Sequence, residues 1–216
     1  MKNKLIGALR MVTALAILGS IYWQVSDRII NHVFQPEQYW VYFTIDTSFL
    51  VATILIAGAF VAWFKNNEGA RWFEIARVGL VGAYVVVAVV YNALLRDSPR
   101  SQVDVDANYF WPKPPNEILH VWAPIIVVLE VILVNPAVRL KLSDAFWGAA
   151  YPVVWLTGSV IRGLVAPDHW WPYWFINPDE HGVPSMLMYI AGITAILILT
   201  TLLLISLRSL VARLRR

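Results

Sequence analysis

The chain has 216 residues, 59% of them hydrophobic and 14% charged, and carries a formal net charge of +3. A typical soluble domain has roughly a quarter of its residues charged; here the charges gather in a few short stretches, which excludes an ordinary water-soluble domain and leaves a single integral membrane domain over 1–216. The basic residues sit beside apolar segments instead of forming a patch with interleaved aromatics, so nucleic acid is not expected as a partner; cysteine is absent and the four histidines lack metal-ligand spacing, so no disulfide, metal or cofactor is expected.

In chain order, six stretches are long and apolar enough to cross about 30 Å of hydrocarbon. The first, Leu5 to Val25, follows Lys2 and Lys4 as a secretory signal would, but no A-x-A-like cleavage site comes after it and its length suits a retained span. The others run Tyr39 to Phe64, Trp72 to Leu95, Glu117 to Val134, Ala145 to Val165 and Ser185 to Leu207. The fold predicted from this pattern is all-α, a polytopic bundle of six transmembrane helices.

Orientation follows from the lysines and arginines of the connections, because the cytoplasmic side carries the excess. Lys2, Lys4, Lys65, Arg71, Arg139, Lys141, Arg208, Arg213, Arg215 and Arg216 fall on one side, and Arg28, Arg96, Arg100 and Lys113 on the other. Both termini are therefore expected in the cytoplasm. Of the outer connections, Arg96 to Asn116 is polar and ends in Pro112, Pro114 and Pro115. The connection Pro167 to Pro184 carries Trp170, Trp171, Tyr173, Trp174 and Phe175. Aromatics at that depth either anchor the chain in the headgroup belt or cap a lipid-facing cavity.

Ionisable side chains within apolar spans are functional candidates, because hydrocarbon disfavours them. Here they are Arg10, Asp46, Glu74, Arg77, His120, Glu130 and Arg162. Glu74 and Arg77, three apart, are expected to pair on one helix face. Arg10 is expected to snorkel inward, and Arg162 to reach the outer interface. Asp46 lies in a polar run with Thr44, Thr47 and Ser48 near the outer end of the second span, and His120 lies near the outer end of the fourth. At about 1.5 Å per residue, Thr44 and His120 sit at matching depth, some 6–8 Å inside the boundary.

Pro114, Pro115, Asn116 and Glu117 read as a helix start with Asn116 as cap. A histidine in the first turn, close to the positive end of the helix dipole, is the neutral imidazole that a general base requires. Threonine is a weak nucleophile that needs such a base within hydrogen-bond reach. The competing reading gives Thr44 the usual hydrogen bond to the carbonyl four residues back, or makes the pair a purely structural link between helices.

Three stretches resemble the androgen-induced-gene family of multi-pass membrane hydrolases and its bacterial branch. Tyr42-Phe43-Thr44-Ile45-Asp46-Thr47 looks like the family's aromatic-x-Thr segment followed by a polar residue. His120-Val121-Trp122-Ala123-Pro124 with Glu130 is similar to its His-x-x-x-Pro and downstream acid. Tyr151-Pro152, Arg162-Gly163, Trp171 to Asn177 and His181-Gly182 resemble the aromatic pattern of the bacterial branch. The resemblance implies a membrane-embedded hydrolase of fatty acid esters of hydroxy fatty acids, with Thr44 as nucleophile and His120 as base. The orientation read from the connections places this pair toward the outer leaflet, and a bacterial plasma membrane is the expected location.

On that reading the partners are membrane lipids and an apolar ester. Asp46 is a candidate to orient His120, and Thr47, Ser48 and Arg162 are candidate oxyanion donors. The alternative is a non-enzymatic binder or transporter in which Asp46, His120, Glu130 and Arg162 line a polar cavity for a proton, a small anion or a lipid headgroup. Oligomeric state is not legible.

Overall fold

The computed structural model describes residues 2–65, 69–96, 112–134 and 138–215, and those residues form helices and no strand. The helix α1 (Lys2–Ile30) buries Gly7, Arg10, Ala14, Ile17, Ile21, Gln24 and Arg28, an alternation of three and four residues that puts one continuous stripe on a single face. That stripe packs along α3 (Phe43–Phe64), which follows a single turn, α2 (Pro36–Tyr39). The next helix, α4 (Arg71–Val90), lies against α3, α6, α7 and α9 and is buried around most of its circumference, as the centre of a bundle must be.

Beyond α4 the chain continues as a π-helical turn, Tyr91–Leu95. The fourth apolar segment is likewise composite: α5 (Lys113–Glu117), a second π-helical turn (Ile118–Trp122) and α6 (Ala123–Leu133). After α7 (Asp144–Gly148) and α8 (Ala150–Val165), a short 3-10 turn (Trp174–Ile176) leads to α9 (Pro178–Leu214). Gly182 interrupts α9 at φ 77, ψ 161, a conformation only glycine adopts without strain, and the main run begins beside Pro184.

Five of these segments are long and apolar enough to cross a bilayer: α1, α3, α4 with its π-helical turn, Lys113–Leu133, and α9. The protein is thus an all-helical integral membrane protein. The fifth expected span, Ala145 to Val165, is instead divided between α7 and α8. A Cβ on Gly79 would lie 2.5 Å from the Cα of Gly148, so α4 and α7 touch backbone to backbone just before the chain breaks at Ala149. Gly79→Val is expected to force these helices apart, costing about 1–3 kcal/mol and lowering the thermal unfolding midpoint in detergent. Gly158→Ala, whose Cβ would meet nothing within 4 Å, should leave that midpoint unchanged or raise it.

At the end of the bundle where both termini lie, five charged side chains form a buried chain. Glu130 accepts from Arg10 Nη2 at 2.7 Å on one carboxylate oxygen and from Arg77 on the other; Arg77 reaches Glu74 at 3.1 Å, and Arg208 also donates to Glu74. The pairing expected between Glu74 and Arg77 is present. Arg10, however, does not snorkel: it is 1% exposed, and its Nη1 donates to the Gly58 carbonyl at 2.7 Å. Glycine at position 58 lets the guanidinium lie on the α3 backbone, since a Cβ there would stand 3.3 Å from Arg10. A carboxylate on α6 gives the arginine a closer partner than the interface does.

Candidate functional site: the Thr44–His120 pair

The opposite end of the bundle brings together α3, the π-helical turn of α4, the turn carrying His120 and the loop after α8. Tyr42 enters α3 with extended backbone, and no side chain of its own segment caps the helix. Of the free donors of the first turn, the Thr44 N–H is met from far along the chain, donating to the Tyr173 hydroxyl at 3.4 Å; the Val41 carbonyl just before the helix accepts from Trp155 Nε1 at 2.9 Å.

His120 owes its setting to proline chemistry. Pro114 and Pro115 fit the first turn of α5, where missing N–H groups cost nothing, so the helix begins at Lys113 and Asn116 stands inside it, not at its cap. Pro124 cannot donate to the carbonyl of His120 four residues back. Asn92 of the first π-helical turn supplies a donor to that carbonyl at 3.4 Å. Tyr91 from the same turn stacks on the imidazole, with centroids 3.9 Å apart, and its hydroxyl accepts from the Asn116 side chain at 2.7 Å. The two π-helical turns thus meet at the histidine, and such turns gather at functional sites.

The hydrogen bonds assign the tautomer. His120 Nδ1 lies 2.8 Å from the Asn116 carbonyl, which can only accept, so Nδ1 carries the proton and the lone pair of a neutral imidazole is on Nε2. Thr44 Oγ1 lies 3.3 Å from Nε2, with both residues buried, and donates to it. The usual alternative for threonine is common elsewhere in this chain: Thr13, Ser20, Thr53, Thr157, Thr201 and Ser206 each donate to the carbonyl four residues back. Thr44 has the histidine instead.

The other sequence candidates do not join this pair. Asp46 is half-buried, its carboxylate makes no hydrogen bond or ion pair among the described residues, and the position from which a carboxylate would orient His120 is held by the Asn116 carbonyl. Glu117 turns to Arg96 at 2.9 Å. Thr47 shares a hydrogen bond of 2.9 Å with the Tyr151 hydroxyl, and Ser48 donates to Tyr84 at 3.4 Å. Arg162 holds the loop after α8 through Asp168 and the Trp170 carbonyl, each at 2.9 Å. Glu130 is bonded within the charged chain at the far end, whereas His120 is bonded to Thr44 and Asn116.

Thr44 does line a chamber of about 90 Å³, open at its mouth and bounded by α3, α4, α8, α9 and the Tyr173–Ile176 segment. Its walls are Phe43, Val86, Val90, Trp155, Ile193 and similar apolar groups; Thr44, Tyr173 and Thr194 bring the hydroxyls. Tyr173, Phe175 and Ile176 wall the chamber, and Trp171 is buried against Gly163, where a Cβ would meet its indole at 2.6 Å. Most of the connection from 96 to 116 lies outside the described residues. Comparison with protein-family models, curated proteins and solved structures returns no match.

Sequence reasoning passed over Tyr91, Asn92 and Tyr173. Pro124 was a usable signal for the second of these, because a proline four residues after His120 leaves a carbonyl in need of a donor. Nothing local marks Tyr173 among its aromatic neighbours.

Proposed function

We propose that the protein is a membrane-embedded hydrolase of lipid esters, with Thr44 as nucleophile and His120 as general base. One observation carries this reading: a buried threonine hydroxyl directed at the free nitrogen of an imidazole whose other nitrogen is pinned by a backbone carbonyl. This is the activated-nucleophile arrangement, nucleophile to base to orienting group. Thr44 adds to the ester carbonyl as His120 Nε2 takes its proton. Collapse of the adduct expels the alcohol with that proton and leaves an acyl-threonine, which water cleaves by the same route.

The apolar chamber beside Thr44 suits an acyl chain arriving from the bilayer, and the resemblance to the androgen-induced-gene family points to fatty acid esters of hydroxy fatty acids. In this reading the chain crosses the membrane six times, counting α7 and α8 together, with both termini cytoplasmic and the pair near the outer leaflet of a bacterial plasma membrane. The test offers purified protein a panel of such esters and a fluorophosphonate probe, beside Thr44→Ala and His120→Ala. Turnover and labelling at Thr44 in the parent, lost in both variants, support it. A parent protein inert to the whole panel and to the probe overturns it.

A further inference from the structure

We propose that the Tyr173 hydroxyl is the donor that stabilises the oxyanion formed when Thr44 attacks its substrate; this rests on the hydrolase reading. The three donors that the sequence offers are occupied: Thr47 by Tyr151, Ser48 by Tyr84 and Arg162 by the Asp168–Trp170 loop. Tyr173 brings a further hydroxyl into contact with the nucleophile. Its oxygen accepts the Thr44 N–H at 3.4 Å and lies against the Thr44 side chain and the Phe43 backbone.

A phenol has one proton to give. With a lone pair of the oxygen engaged by Thr44 N–H, the O–H is available to the chamber that Tyr173 and Thr44 both line. An acyl carbon bonded to Thr44 Oγ1 carries its oxygen among groups that already touch Thr44, and the Tyr173 hydroxyl is one of them.

Such a donor is effective when it is fixed before the reaction, so that no reorganisation is needed as charge develops. The ring of Tyr173 stacks on Phe175 at 5.0 Å and 7°, with Tyr42 at 5.7 Å and Trp155 at 6.0 Å around it. Arg162 ties down the start of the same loop through the Trp170 carbonyl and Asp168. Burial pushes the phenol up to about 12, so it keeps its proton at neutral pH and remains a donor.

In the acylation step the Thr44 Oγ–carbon bond forms, the Oγ proton passes to His120 Nε2, and the carbonyl π pair becomes the oxyanion facing Tyr173. On collapse that pair reforms the carbonyl, the ester carbon–oxygen bond breaks, and the alkoxide takes the proton from His120. Tyr173 donates a hydrogen bond throughout and neither gains nor loses a proton.

Tyr173→Phe removes the hydroxyl and keeps the ring. Its kcat on an ester that the parent cleaves is expected to fall about 10²-fold or more, with KM within a few-fold. Affinity for a trifluoromethyl ketone, which forms a tetrahedral adduct on Thr44, should fall in parallel with kcat/KM, and the unfolding midpoint should drop by no more than the loss of the Thr44 N–H hydrogen bond implies. A merely structural tyrosine would leave kcat near the parent's and the ketone tracking KM. An active parent whose Tyr173→Phe variant keeps kcat within three-fold overturns the proposal and leaves the hydrolase reading standing. A parent that neither turns over esters nor labels at Thr44 overturns both.

Discussion

Glu130→Ala is expected to abolish the native packing, not merely to reduce activity. The carboxylate is 4% exposed and holds Arg10 on one oxygen and Arg77 on the other. Removing it leaves two guanidinium groups facing each other without their shared anion, and breaking a buried pair from one side costs about 3–5 kcal/mol, a large part of the stability of a typical domain. Glu130→Gln should do nearly as much damage, because it keeps the shape and loses the charge. The check is the unfolding midpoint in mild detergent, with protease susceptibility beside it.

A second arm separates structure from transport. Replacing Arg10, Arg77 and Glu130 together by methionine removes the ions and the need for pairing, and exchanges of this kind are often neutral or stabilising. Glu74 and Arg208 keep one another in that variant. The triple variant should therefore recover the midpoint that Glu130→Ala loses. If Glu130→Gln instead folds like the parent, the ion pairs do not carry the packing, and the carboxylate has another task.

This charged chain also shows how far the sequence could be read. Five of the six apolar stretches and the i,i+3 pair of Glu74 and Arg77 follow from local spacing and appear in the fold. The fate of Arg10 does not, because its partner stands 120 positions away on another helix. Near a helix end, snorkelling is the default for an arginine with no visible counter-charge. The backbone contact of α4 with α7 was hidden for the same reason: Gly79 and Gly148 meet from distant parts of the chain.

The candidate site was legible to a similar degree. Equal depth singled out Thr44 and His120, and the two side chains meet at 3.3 Å. What surrounds them was not visible. The orienting group is a backbone carbonyl, which any residue type supplies, so a search among side chains turned to Asp46. Reading Asn116 as a cap misplaced the helix start by one turn, since Pro114 and Pro115 both fit inside it. The reward for the correct placement is the Nδ1 contact four residues on, which assigns the tautomer.

Thr44→Ala and His120→Ala should each remove ester turnover by a factor on the order of 10³ or more, and the double variant should be no slower than the slower single. Members of one nucleophile–base unit are strongly non-additive, because each is of little use without the other. Thr44 Oγ1 has His120 Nε2 to take its proton, and His120, which is not itself a wall of the chamber, meets it at Thr44. If the two residues were only a structural link between helices, either substitution would lower the unfolding midpoint by the worth of one hydrogen bond, about 1 kcal/mol, and leave turnover nearly intact. Additive losses in turnover would mean that the two act in separate steps. Measured kcat/KM for parent, singles and double, with midpoints alongside, distinguishes these outcomes; equal singles and an equal double identify a single catalytic unit.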